Sequence, residues 1–398
     1  MVTREELERA RERVRGFIRA TPLDRSETLT RILGRPVALK PEHLQRTGSF
    51  KIRGAANFIS QLPAGAHVVA ASAGNHAQGV ALAAATAGIG ATVFMPASAA
   101  LPKVEATRNY GATVVFTGGS VDDAIAEAKA HAAAHGAVFV PPFDDPRIIA
   151  GQGAIGLELA DEAPGAEVVV VPVGGGGLIS GIAAALKLGG HPAQVIGVEP
   201  AGAAGMAASR AAGRPVRLDT LTTMADGVAL KGPSALTLAH VQAYVDDVVT
   251  VEDDDIARAV VLLLERAKAV VEPAGAVGLA ALLAGKVGGG GLAVAVLSGG
   301  NVDPFLLLQL IDRGLSASGR YLILRVQLPD RPGALAGLTA AVAAMGLNVL
   351  AVEHHRSGLL LPLEQVEVVL TLETRDPEHR DEVVGALQAQ GYRVEMTG

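Results

Sequence analysis

Three observations predict an α/β fold, an open and doubly wound parallel sheet followed by a small βαββαβ unit. Short β-branched runs alternate with Ala-rich stretches of helical length, the pattern of a wound sheet with its sites at the C-terminal strand ends. The apolar runs are continuous, which suits strands covered on both faces. Beyond residue 312 the order of elements changes, after a segment rich in Gly, Ser and Arg.

In the body, Val68–Ala71 and Ala91–Met95 read as strands, and Lys103–Asn109 as a helix closed by Gly111. Ala112–Phe116 is a strand, Val121–His135 a helix, Ala137–Val140 a strand and Ile148–Ala163 a helix. Glu167–Val173 is a strand that runs into glycines, and a helix follows from about Leu178 to Leu188. Gln194–Val198 and Ala293–Leu297 are further strands. Residues 313–320 read as a linker. The tail then gives strand Tyr321–Leu328, helix Ala334–Met345, strand Asn348–His354, strand Gln365–Leu372, helix Pro377–Gln390 and strand Tyr392–Met396, a ferredoxin-like order. The expected domains are a body of residues 1–312 and an appended unit of residues 321–398.

The 398 residues suffice for two or three domains. A hydrophobic fraction of 49% against 19% charged excludes disorder as a whole-chain state. The net charge of −6 argues against nucleic acid as a partner. The absence of Cys excludes disulfides, thiolate metal sites and a Cys nucleophile. No apolar h-region follows the charged N-terminus, so no signal peptide is expected. Gly54 to Pro102 contains no charged residue, yet Pro63, Asn75, His76 and repeated Gly break it. A lipid-exposed helix would leave those polar groups unsatisfied, so a protein interior and a cytoplasmic location are expected.

Four segments carry chemistry. Gly174, Gly175, Gly176, Gly177 and Leu178 follow a strand and open a helix. Close backbone approach and oriented N–H groups suit a phosphate, although a tight βα turn also asks for small residues. The spacing matches neither a P-loop nor the dinucleotide fingerprint. Lys51, in Thr47-Gly48-Ser49-Phe50-Lys51, stands beside the uncharged tract, where its pKa can fall as an imine-forming amine requires. A solvated lysine or a phosphate contact is the plainer alternative. Ser72-Ala73-Gly74-Asn75-His76 follows a strand and precedes a helix, a second anion site of carboxylate size or an ordinary N-cap. His76 reads as a structural histidine. Ser298-Gly299-Gly300-Asn301 ends a buried strand, where a hydroxyl could meet a heteroaromatic nitrogen or simply close a turn.

In this order the four segments resemble those of the threonine dehydratases (threonine ammonia-lyases) among the fold-type-II pyridoxal-phosphate enzymes, over about residues 5–315. The resemblance implies a two-lobed, tryptophan synthase β-like body with the smaller lobe near residues 41–145, and pyridoxal 5′-phosphate as cofactor. It implies that Lys51, preceded by Phe50, carries the cofactor and takes the substrate's α-proton. Asn75 would contact the ring oxygen, Gly174 to Leu178 the phosphate and Ser298 the pyridine nitrogen. Ser72, Ala73, Gly74, Asn75 and His76 would surround the substrate. A neutral Ser298 does not stabilise a protonated ring nitrogen, which suits β-elimination. The implied reaction converts L-threonine to 2-oxobutanoate and ammonia, or L-serine to pyruvate.

Serine racemases are similar but carry a second Ser where this chain has Ala73, which cannot move protons. Their cation site is half matched, since Glu199 and Ala203 fit and Gly205 replaces an Asp, so no metal is expected. Glu272, before Pro273, is either a helix-end residue or a neighbour of the cofactor. Asp253, Asp254 and Asp255 read as first-turn helix partners. The tail resembles an ACT domain through Leu328-Pro329-Asp330-Arg331-Pro332-Gly333-Ala334-Leu335 and Asn348. That resemblance implies an effector site at Asp330, Arg331, Pro332, Gly333, Ala334 and Asn348, with isoleucine, opposed by valine, as the leading effector. A homotetramer built from dimers is expected by the same analogy. A different class, an amino-acid sensor without activity, would require loss of Lys51 or of the glycine loop, and both are intact.

Overall fold

The computed structural model describes residues 1–356 and 364–396. The chain divides into two compact units, Met1–Leu307 and Leu308–Gly398. The first contains strands β1 (Asp24–Arg25), β2 (Val37–Lys40), β3 (His67–Ala71), β4 (Gly90–Pro96) and β5 (Thr113–Thr117). It continues with β6 (Val138–Phe139), β7 (Ala166–Pro172), β8 (Gln194–Pro200), β9 (Asp247–Val251) and β10 (Leu292–Val296). The larger sheet has the order β1-β2-β10-β7-β8-β9 and is parallel except for β1. The smaller sheet, β5-β4-β3-β6, is wholly parallel. The chain thus starts in one lobe, builds the other between β3 and β6, and returns at β7.

The apolar runs behave as continuous runs should. Val68, Val69 and Ala70 of β3, and Val168 to Val171 of β7, are buried on both sheet faces. Helix boundaries follow their caps. Val121–His135 begins after a Ser120/Asp123 capping box and stops at left-handed Gly136. The strand expected over Ala137–Val140 shortens to β6, because the following Pro141 and Pro142 supply no backbone donors.

One helix organises the body. Pro146–Glu162 packs against helix Lys51–Ile59 and helix Gly177–Leu188 with backbone touching backbone. A Cβ on Gly151 would lie 2.6 Å from the Arg53 carbonyl oxygen, and one on Gly156 2.6 Å from that of Ile182. The same crossing encloses a buried ion network. Arg53 donates to Glu42 (2.7 and 2.8 Å) and to Glu158 (2.6 and 2.9 Å). Lys40 pairs with Glu158 (2.7 Å) and Glu162 (3.0 Å), and Thr21 donates to Glu42 (2.5 Å). Arg53, Lys40 and Glu42 are each 0% exposed. Such charges are tolerated inside a protein only when paired this completely.

The second unit contains β11 (Tyr321–Pro329), β12 (Val349–His355), β13 (Gln365–Glu373) and β14 (Arg393–Met396). They form an antiparallel sheet in the order β12-β13-β11-β14. Leu322, Leu324, Val326 and Leu328 alternate inward on β11. They meet Leu338 and Val342 of one helix and Val383 and Leu387 of the other. The stretch expected as a linker is helical as far as Ala317, within helix Pro304–Ala317. Buried Leu310, Gly314 and Leu315 keep that helix going through the polar residues, and only Ser318–Arg320 forms a turn.

Candidate active site

The segment before Lys51 is tied to the end of β10. Ser49 forms a bridge with Gly299, the Phe50 N–H donates to the Ser298 carbonyl (3.1 Å), and the Gly300 N–H donates to the Gly48 carbonyl (2.9 Å). Lys51 then opens its helix. A Cβ on Gly79 would come within 3.0 Å of the Lys51 carbonyl carbon, so glycine there lets helix Asn75–Thr86 touch the Lys51 backbone. Lys51 Nζ donates to the Pro142 carbonyl (3.1 Å) and lies 5.2 Å from the Phe50 ring centroid. Burial pushes the amine down to about 8, and the Glu272 carboxylate opposes that shift.

Asn75 sits at the meeting point of three segments. Its Nδ2 donates to Glu272 Oε1 (2.6 Å), and its Oδ1 accepts from Asn301 Nδ2 (2.7 Å), which also donates to the Thr47 carbonyl (2.8 Å). Burial pushes Glu272 up to about 7, against the Asn75 hydrogen bond and the Lys103 and Lys51 charges. Gly299 is glycine because a Cβ there would overlap Glu272. His76 joins its ring to the Val140 carbonyl through Nε2 (2.9 Å). Burial, followed by the Lys51 charge, pushes it down to about 3, so it is neutral as a structural histidine should be. Ser298 is buried with Oγ 3.4 Å from the Ala274 carbonyl, and Ser72 Oγ accepts from the Gly74 N–H (3.1 Å).

The glycine loop lies between β7 and helix Gly177–Leu188. Gly176 has φ +87°, a conformation that disfavours any side chain. Side chains on Gly174, Gly175 and Gly177 would press on Val228 or on Phe143. Packing alone therefore explains the four glycines, as a tight turn would. The N–H groups add what a turn does not need. Among the described residues, those of Gly174 to Leu178 have no hydrogen-bond partner, nor do those of Ala73, Asn75, His76 and Ala77. Two turns thus offer clustered donors, the chemistry an oxyanion requires. One segment links them: Val140 holds His76, Pro142 holds Lys51, and Phe143 packs on Gly175 and Gly177.

A phosphorylated aldehyde fits this donor set. The glycine-loop N–H groups suit its phosphate, the lowered Lys51 amine its carbonyl, and Asn75 and Ser298 are polar groups for its ring. Several neighbours escaped sequence reasoning. Pro142 and Phe143 carry no motif, Asp226–Val228 reaches the loop only through the fold, and Asn301 stood in a motif without an assigned partner. Glu272 proves to be a neighbour of Asn75 rather than merely a helix end.

Elsewhere, Glu199 accepts from the Met206 and Ala207 N–H groups (both 2.8 Å). Asp255 forms a capping box with Glu252, whereas Asp253 holds Thr223 Oγ1 (2.6 Å) and the Met224 N–H (2.9 Å). In the second unit Asp330 pairs with Arg356 (3.3 Å), and Gly333 caps helix Ala334–Ala344 with φ +89°. Asn348 lies just before β12 and donates to Glu373 (3.3 Å). No helix among the described residues is long and apolar enough to cross a membrane.

Two doubly wound lobes with a half-buried lysine between two oxyanion turns define a class, the fold-type-II pyridoxal-phosphate enzymes. The chain belongs to the pyridoxal-phosphate dependent enzyme family, whose model matches residues 14–299, and an ACT domain matches residues 322–391. It is 47% identical to the L-threonine ammonia-lyase of Thermotoga maritima, over 100% of both chains. The T.th. threonine deaminase superposes with a TM-score of 0.72 at 42% identity, covering 75% of this chain and 98% of that one. Maize serine racemase gives a TM-score of 0.74 at 36% identity, covering 78% and 97%.

Proposed function

We propose that this protein converts L-threonine to 2-oxobutanoate and ammonia, the water lost with the β-hydroxyl being regained when the released enamine hydrolyses, with L-serine as a second substrate giving pyruvate and ammonia. The observation that carries the proposal is the Lys51 amine, half-buried, lowered to about 8 and placed between the two oxyanion turns. Full-length similarity to an L-threonine ammonia-lyase supports the choice of substrate. Gly174 to Leu178 would hold the cofactor phosphate, Lys51 its aldehyde, Asn75 its ring oxygen and Ser298 its ring nitrogen. When bound, the cofactor supplies the electron sink for the α-carbon. Lys51 Nζ takes the α-proton, a role that requires the amine unprotonated near neutral pH. The Ser72–His76 turn holds the substrate carboxylate. Ala73 offers no group for protonating the opposite face, which favours elimination over racemisation.

The second unit would sense isoleucine, with valine opposing it, through Asp330 to Ala334 and Asn348. The assembly would be a cytoplasmic homotetramer. The test is 2-oxo acid release from L-threonine by cofactor-loaded protein, with and without isoleucine. Product that falls with isoleucine supports both parts. Product indifferent to isoleucine removes that effector, and absence of product with a loaded lysine removes threonine as substrate.

A further inference from the structure

We infer that Lys103 is a further substrate-binding residue, whose ammonium pairs with the carboxylate of the amino acid. The inference rests on the site proposed above and extends its binding set beyond the turn. Lys103 lies in the first turn of helix Leu101–Asn109. Its Nζ is 4.0 Å from where a Cβ on Gly74 would stand, at the centre of the Ser72–His76 turn.

Two features make this ammonium a group held for a ligand. It is only half-exposed, yet among the described residues Nζ has neither a hydrogen-bond nor an ion-pair partner. The fully buried Lys40 and Arg53 of the ion network are both paired, whereas the half-exposed Lys103 beside a turn of free N–H groups is not. The second feature is the carboxylate already present. Glu272 is hydrogen-bonded to Asn75, and the Lys103 charge acts on it. A substrate carboxylate arriving at Gly74 brings a second negative charge toward Glu272, which like charges oppose. A cation beside the turn offsets that repulsion and draws in the incoming anion.

The chemistry recognised is therefore the α-carboxylate, not the amine or the side chain. The full-length, cofactor-loaded protein is titrated with L-2-aminobutanoate, which keeps the carboxylate but lacks the leaving hydroxyl. A second titration uses 1-aminopropan-2-ol, which lacks the carboxylate. Both are followed by the cofactor's absorbance, for wild type, Lys103→Gln and Lys103→Arg. Lys103→Gln is expected to weaken L-2-aminobutanoate about tenfold or more while 1-aminopropan-2-ol stays within about twofold, and Lys103→Arg to restore most of the loss. With L-threonine the same variant raises KM more than it lowers kcat. Equal weakening of both ligands, the result if Lys103 acts only through Glu272, overturns the inference, as does no weakening of either. A wild-type protein that loads cofactor but ignores L-2-aminobutanoate overturns the amino-acid site itself.

Discussion

A lysine amine in water holds its proton to about pH 10.5, and burial at position 51 brings that release to about 8. The consequence is measurable without turnover. Cofactor loading of the apo protein needs the free amine, so its rate should rise about tenfold per pH unit and level off near pH 8. Glu272 favours the charged amine, so Glu272→Gln should move that plateau to lower pH. A plateau near 10.5, or no movement in the variant, contradicts this account. Glu272 carries its own signature. Its folded value of about 7 exceeds the ordinary 4.5, so the folded chain keeps a proton that the unfolded chain releases. Its contribution to stability is therefore present below pH 4.5 and is lost as pH rises toward 7. Lys51 and Asn75 were legible from the sequence because their neighbours form compact motifs. The Asn75–Glu272 and Asn75–Asn301 bonds were not, because nothing local announces which distant carboxylate or amide will meet that side chain.

At the scale of elements, Lys51 is positioned by what its helix touches. Gly79→Ala would push on the Lys51 backbone, and kcat for threonine should fall at least about tenfold, with the unfolding temperature moving by only a few degrees. Unchanged kcat would mean that the contact yields. Arg53→Met leaves the fully buried Glu42 beside an apolar group, while Glu158 keeps Lys40, and this should cost about 3–5 kcal/mol in denaturant unfolding. Most elements were readable from caps and apolar runs, as Val121–His135 shows. The ion network was invisible in advance, since no local motif joins Lys40, Glu42 and Arg53 to Glu158, more than 100 residues further along the chain. The misread linker has a local cause. Gly314, Ser316 and Ser318 signal a break, while the buried positions Leu310 and Leu315 that continue the helix are sparse.

Over the whole molecule, the two units have separate hydrophobic cores, one of them built around Leu324, Val326, Leu338 and Leu370. Scanning calorimetry should resolve two transitions, and removing pyridoxal phosphate should lower only the one belonging to the body. A single transition that shifts as a whole would show that the units unfold together. Within the body, helix Pro146–Glu162 meets both the helix that starts at Lys51 and the helix that starts at the glycine loop, each through glycine and main chain. The two anchoring points proposed for the cofactor, the Lys51 amine and the glycine loop, are thus gauged from a single rod. The helical main chain and its close non-bonded contacts set that gauge, with few rotatable side chains interposed. Thermal loosening of either sheet would leave the span between the anchors nearly unchanged, as a caliper keeps its setting while the hand that holds it moves.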